Sequence, residues 1–106
     1  ADLLAGRGGP DELYGGLDND TLIGGGGRDE LFGEEGDDRL SGGPGNDILD
    51  GGVGDDELRG GDDNDVILGG DGIDTMNGGR GTDFMFGDAG DDIIDQDDML
   101  VVDTKW

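Results

Sequence analysis

Ten aspartates stand nine residues apart without interruption: Asp11, Asp20, Asp29, Asp38, Asp47, Asp56, Asp65, Asp74, Asp83 and Asp92. Each brings oxygen donors and a negative charge, and the chain contains neither Cys nor His. A donor set made of oxygen alone suits a hard cation and argues against zinc, copper or iron. Catalysis is poorly provided for. The one serine, Ser41, has no base partner, and acid pairs such as Asp37 and Asp38 stand where the repeat puts them. The reading is a binding module and not an enzyme.

Something must hold those aspartates in line, and the surrounding residues supply it. With Gly6 as position one, ten nonamers follow one another to Asp95 with no gap. Position six is the aspartate, and position eight is always a large aliphatic side chain: Leu13, Leu22, Leu31, Leu40, Leu49, Leu58, Ile67, Met76, Met85 and Ile94. All 27 glycines fall at positions one to four, where a tight turn uses positive φ or close backbone approach. Each unit therefore reads as a turn over positions one to six and a short strand at seven to nine. Side chains alternate across a strand, so only position eight can enter a core. One layer of such strands could not hide it, and two units must form one coil. The expectation is an all-β, right-handed parallel β-roll, two facing parallel sheets in about five 18-residue coils, about 24 Å tall at about 4.8 Å per coil.

The unit Gly51-Gly52-Val53-Gly54-Asp55-Asp56-Glu57-Leu58-Arg59 displays the pattern G-G-x-G-x-D-x-U-x, where U is a large aliphatic residue. It resembles the calcium-binding repeat of RTX (repeats-in-toxin) proteins, and the likeness covers about 90 of 106 residues in one register. The resemblance implies a Ca2+ ion between the turns of units n and n+2, held by the carbonyls of positions two and four and by the aspartate. Its ligands would be the ten aspartates with Gly16 and Asp18, Gly25 and Gly27, Glu34 and Gly36, Gly43 and Gly45, Gly52 and Gly54, Gly61 and Asp63, Gly70 and Gly72, and Gly79 and Gly81. Five turns on each edge leave four gaps, hence about eight ions, with Asp2 placed to help a ninth. The resemblance also implies a secreted bacterial protein of the toxin, protease, lipase or adhesin kind. Such a block stays threadable for type I secretion and folds on meeting extracellular calcium.

Departures from the pattern matter unequally. Asp18 and Asp63 replace glycine at position four, tolerable in a left-handed site because Asp visits that region more readily than most residues. Arg7, Glu34 and Asp88 stand at position two, and their turns are expected to bind more weakly.

Composition alone would suggest a disordered linker: 29 acidic against 6 basic residues, a net charge of −23 and 30% hydrophobic residues. A linker has no reason to keep a ninefold register, which overturns that reading. Ten aliphatic groups are nonetheless a thin core for so many ordered residues, so bound cations are expected to complete the balance. Without cysteine there are no disulfides to do so, and the redox compartment is left open. The chain has no basic patch for nucleic acid, no apolar run long enough to span a bilayer and no signal peptide at its start.

At 106 residues this is one domain. Residues 1–5 match positions five to nine of an earlier unit, the start expected of a chain that begins inside a longer array. Residues 6–95 are the ten repeats. Residues 96–106 lose the period and are expected to cap the last coil, with Trp106 as a lid. Odd and even units differ in their outward residues. The odd-unit sheet shows Tyr14, Phe32, Ile48, Val66, Leu68, Phe84 and Phe86, an apolar face suited to a homodimer, to contact with the rest of a longer protein, or to glycans stacking on the rings. Position five, running Pro10, Asn19, Arg28, Asp37, Asn46, Asp55, Asn64, Ile73, Thr82, Asp91, offers no regular array for ice.

Overall fold

A computed structural model describes residues 2–88, 90–95 and 100–101. Twelve strands follow in order: β1 (Leu3–Gly8), β2 (Glu12–Gly16), β3 (Thr21–Gly26), β4 (Glu30–Glu34), β5 (Arg39–Pro44), β6 (Ile48–Asp50), β7 (Glu57–Asp62), β8 (Val66–Leu68), β9 (Thr75–Gly79), β10 (Phe84–Phe86), β11 (Ile93–Asp95) and β12 (Leu100–Val101). Among the described residues there is no helix. The odd-numbered strands form one sheet in the order β1-β3-β5-β7-β9-β11, and the even-numbered strands form the other, β12-β10-β8-β6-β4-β2. All pairings are parallel, as in Leu22↔Leu40, Leu40↔Leu58 and Leu58↔Met76. Partners thus stand two nonamers apart, and the chain is a β-solenoid of about five 18-residue turns. The repeats numbered odd in the sequence occupy the sheet of β2 to β12, and the even repeats the sheet of β1 to β11.

The core is a single file of position-eight side chains drawn alternately from the two sheets: Leu22, Leu31, Leu40, Leu49, Leu58, Ile67, Met76 and Met85, each at most 2% exposed. Leu4, Leu13 and Ile94 pack against its ends half-buried. Leu4 pairs with Leu22 and Asp2 donates its N–H to Asp20, so residues 2–5 run in the register of the repeats that follow.

Two details depart from the expected three-residue strands. β6, β8 and β10 have that length, but β3, β5 and β7 run to six residues, through the first positions of the next unit. The cause is visible in the register: Gly43↔Gly61 and Pro44↔Asp62 keep the backbones of stacked turns hydrogen-bonded beyond the strand proper. At the far end β12 pairs with β10 as Phe84↔Leu100 and Met85↔Val101, a spacing of 16 residues that ends the 18-residue coil. The expected lid, Trp106, and the rest of the tail lie outside the described residues.

Candidate metal centre

The position-six aspartates are the unusual feature of the interior. Asp29, Asp38, Asp47, Asp56, Asp65, Asp74 and Asp83 are at most 2% exposed, and Asp20 is 3% exposed. In each, Oδ1 accepts the backbone N–H of the aspartate 18 residues earlier, at 2.7 Å for Asp20 to Asp38 and Asp38 to Asp56 and 2.9 Å for Asp56 to Asp74. The odd-unit edge carries the same ladder through Asp11, Asp29, Asp47, Asp65 and Asp83 at 2.8 Å. Oδ2 is another matter. In Asp11, Asp29, Asp38, Asp47, Asp56, Asp65, Asp74 and Asp83 it is buried and receives no hydrogen bond. An anionic oxygen taken out of water without a donor is costly, and either a proton or a cation relieves it.

Electrostatics state the same strain. Burial, with help from the neighbouring carboxylates and against the donated N–H, pushes Asp47 up to about 6, Asp56 to about 7 and Asp65 and Asp74 to about 8. Burial also raises Asp38 and Asp83.

The glycines explain how backbone oxygens reach the same place. Positions two and four have positive φ in all ten units, including Asp18 (75°) and Asp63 (74°) as expected, and also Arg7 (85°), Glu34 (73°) and Asp88 (65°). A repeated change of φ sign aims the carbonyls of both positions along the stack. A Cβ built on Gly25 would land on the carbonyl of Arg7, and one on Gly27 would lie 2.5 Å from that of Gly9. The relation recurs up both edges, for Gly43 over Gly25 at 2.5 Å on the odd-unit side and for Gly52 over Glu34 and Gly70 over Gly52 on the even-unit side. Position one is closed for another reason. A Cβ on Gly51 would lie 2.5 Å from Oδ2 of Asp56 and 2.7 Å from the carbonyl of Gly69. Gly16 opens its edge, with only the Glu34 carboxylate over it.

Each gap between stacked turns is therefore bordered by carbonyls and by buried carboxylate oxygens. Among the described residues no three or more His, Cys, Asp or Glu side chains converge. The donor set is backbone oxygen plus a carboxylate at each turn, which fits calcium, a cation that accepts six to eight oxygens. Stacking sets Gly43 over Gly25 and Gly45 over Gly27, and Oδ1 of Asp47 accepts the N–H of Asp29, while the buried Oδ2 of Asp47 lies beside the position-one glycine Gly42.

A second ladder escaped the sequence reading. Position-five oxygens accept the N–H of position five in the following coil: Asn19 from Asp37, Asp37 from Asp55 and Asp55 from Ile73 on one edge, Asn46 from Asn64 and Asn64 from Thr82 on the other. It runs opposite to the position-six ladder. Its signal in the sequence is the run of Asn and Asp at position five, side chains short enough for their oxygens to reach the backbone of the next coil.

On the outer face of the β2 to β12 sheet, Tyr14 and Phe32 stack with ring centroids 4.9 Å apart, and the Tyr14 hydroxyl donates to Glu12. Tyr14 and Phe84 are exposed, whereas Phe32, Ile48, Val66, Leu68 and Phe86 are half-covered by their neighbours. The opposite face is less polar than expected, since Leu3, Ile23 and Ile93 are exposed there beside the Arg39–Glu57–Arg59 ion pairs. Leu3 and Ile93 open the outermost strands β1 and β11 of that sheet, whereas Ile23 lies within β3.

A parallel solenoid of 18-residue coils with two ladders of buried aspartates defines the class: a nonapeptide-repeat β-solenoid. Comparison with known families agrees: four copies of the RTX calcium-binding nonapeptide repeat match residues 1–31, 23–58, 32–67 and 59–94, and the chain belongs to that family. Its repeat is a structural calcium-binding module that forms a β-roll. No curated protein and no solved structure matched the chain.

Proposed function

We propose that this chain is a calcium-dependent folding module of a secreted bacterial protein, disordered where calcium is scarce and folded where it is abundant. The observation that carries the reading is the row of buried Oδ2 atoms without donors. With neither a proton nor a cation the fold must bury mutually repelling carboxylates, and a bound cation would offset that repulsion at neutral pH. Ions would lie in the four gaps of each edge, about eight in all, held by the position-six aspartates and the carbonyls of positions two and four. Eight divalent ions would offset 16 of the 23 surplus negative charges. At a dissociation constant of about 0.1 mM, typical of extracellular modules, 1 mM calcium adds roughly 1.4 kcal/mol per site. Several such sites rival the marginal stability of a whole domain.

In type I secretion such a switch would keep the chain extended inside the cell and fold it outside, a role that membership of the RTX family supports. Far-ultraviolet circular dichroism during a calcium titration is the test. The β-signal should be small in excess chelator at neutral pH and grow with calcium. A full β-signal in chelator would remove the reading.

A further inference from the structure

The two edges of the roll carry identical ladders of buried aspartate but very different exposed turns. On the even-unit edge, positions two to five hold Asp18, Glu34, Glu35, Asp37, Asp55, Asp71, Asp88 and Asp91, with no cation among them. On the odd-unit edge the same positions hold Asp62 and Asp63 against Arg7, Arg28 and Arg80. The topology sorts these groups to opposite sides. Stacked turns bond within an edge, as in Val53 to Glu34 and Asp71 to Gly52 on the even side and Arg80 to Gly61 on the odd side.

We propose that calcium loads the two edges as unequal classes, the even-unit edge binding more tightly because every charged residue of its outer turns is acidic while those of the odd-unit edge come close to cancelling. The proposal rests on the calcium reading above and adds a ranking to it. The acidic rim is not itself the site. The sites are the gaps between stacked turns; beside them, against the position-one glycines, lie the buried Oδ2 atoms of Asp38, Asp56 and Asp74 without a donor, and the odd edge has their counterparts in Asp29, Asp47, Asp65 and Asp83. What differs is the field around them. An approaching divalent ion gains from each carboxylate within about a Debye length and loses to each arginine, by amounts that salt diminishes. Glu34 adds a nearer contribution, for its Oε2 lies 3.8 Å from where a Cβ on Gly16 would stand, over the first gap of the even edge. In this ranking the Glu34 carboxylate would offset the weaker binding expected of a turn without glycine at position two.

The test is calcium binding by equilibrium dialysis of the whole chain at low and at high ionic strength. Glycine amide resonances report which edge fills: Gly36, Gly54 and Gly72 for the even side, Gly27, Gly45 and Gly81 for the odd. In low salt the even class should bind about tenfold more tightly, and the gap should narrow at high salt as the Debye length shrinks from about 30 Å to about 3 Å. Asp37→Asn with Asp55→Asn removes two charges and keeps the ladder acceptors, as Asn19, Asn46 and Asn64 already show. It should weaken the even class about threefold or more and leave the odd class unmoved. Arg28→Glu with Arg80→Glu should tighten the odd class alone, and this pair decides the matter if the first does not fold. Equal classes at low salt, or variants that shift the wrong edge, overturn the ranking while leaving calcium binding intact. No calcium uptake by the unaltered chain overturns the calcium reading itself.

Discussion

At the scale of single residues, the turn tolerates a side chain by position and not by residue type. Gly25 has φ near 96° and a Cβ there would meet the carbonyl of Arg7, whereas Gly26 beside it has nothing within 4 Å. Gly25→Ala should cost at least about 1–2 kcal/mol from the left-handed backbone alone, and more from the collision. Gly26→Ala should change stability by less than about 1 kcal/mol. Urea unfolding at saturating calcium compares them, and equal losses would show that crowding between turns is not what keeps these glycines. Position four was legible from sequence because Asp is a familiar substitute for a left-handed glycine. The left-handed state of position two was not, since Arg7 and Glu34 are poor candidates for it and only the stacked turns impose it.

At the scale of the strand, one inward side chain per unit does all the apolar work. Leu58 is fully buried in the middle of the file, between Leu40 and Met76 in register. Leu58→Ala should cost about 2–5 kcal/mol, read as a lowered denaturation midpoint at saturating calcium, with Leu13→Ala at the half-buried end costing less. The outer column offers a second case. Asp50 lies in register between Phe32 and Leu68, and burial raises its carboxyl above the usual range against the N–H it accepts from Gly52. Because the folded carboxyl resists ionisation more than the unfolded one, its charge weakens the fold above the raised value, and the loss fades in acid. Asp50→Asn keeps an acceptor and drops the charge, so the melting temperature should rise at pH 7.5 and stay level near pH 4. A fall at pH 7.5 would mean that the carboxylate has a favourable partner.

For the whole molecule, the same sign rule acts along the entire ladder. Asp47, Asp56, Asp65 and Asp74 hold their protons up to about 6, 7, 8 and 8 when folded without metal, against 3.8 for the free side chain. Between about pH 4 and pH 8 the folded chain therefore binds more protons than the unfolded one, and metal-free stability falls as pH rises through that window. Chelator-treated protein should gain β-signal on acidification from pH 8 to pH 5, measured by circular dichroism at low protein concentration. A metal-free chain equally unstructured at both values would show that the carboxylates do not set the cost of folding.

The ninefold recurrence by itself determined the coil length, the file of position-eight side chains and the alignment of the ten aspartates, because each follows from the period and from side-chain alternation within a few neighbouring residues, whereas the burial of eight of those aspartates came from the stacked coils. Tertiary structure alone decided which oxygen meets which N–H. Asp38 accepts from Asp20, a coil earlier, while Asn19 accepts from Asp37, a coil later, so the two ladders run in opposite directions. Stacking also set Asp50 among apolar neighbours and gathered eight acids on the turns of one edge and three arginines on the other. These are relations between residues about 18 apart, created when the coils lie on one another, and a local pattern carries the period of that stacking without its directions.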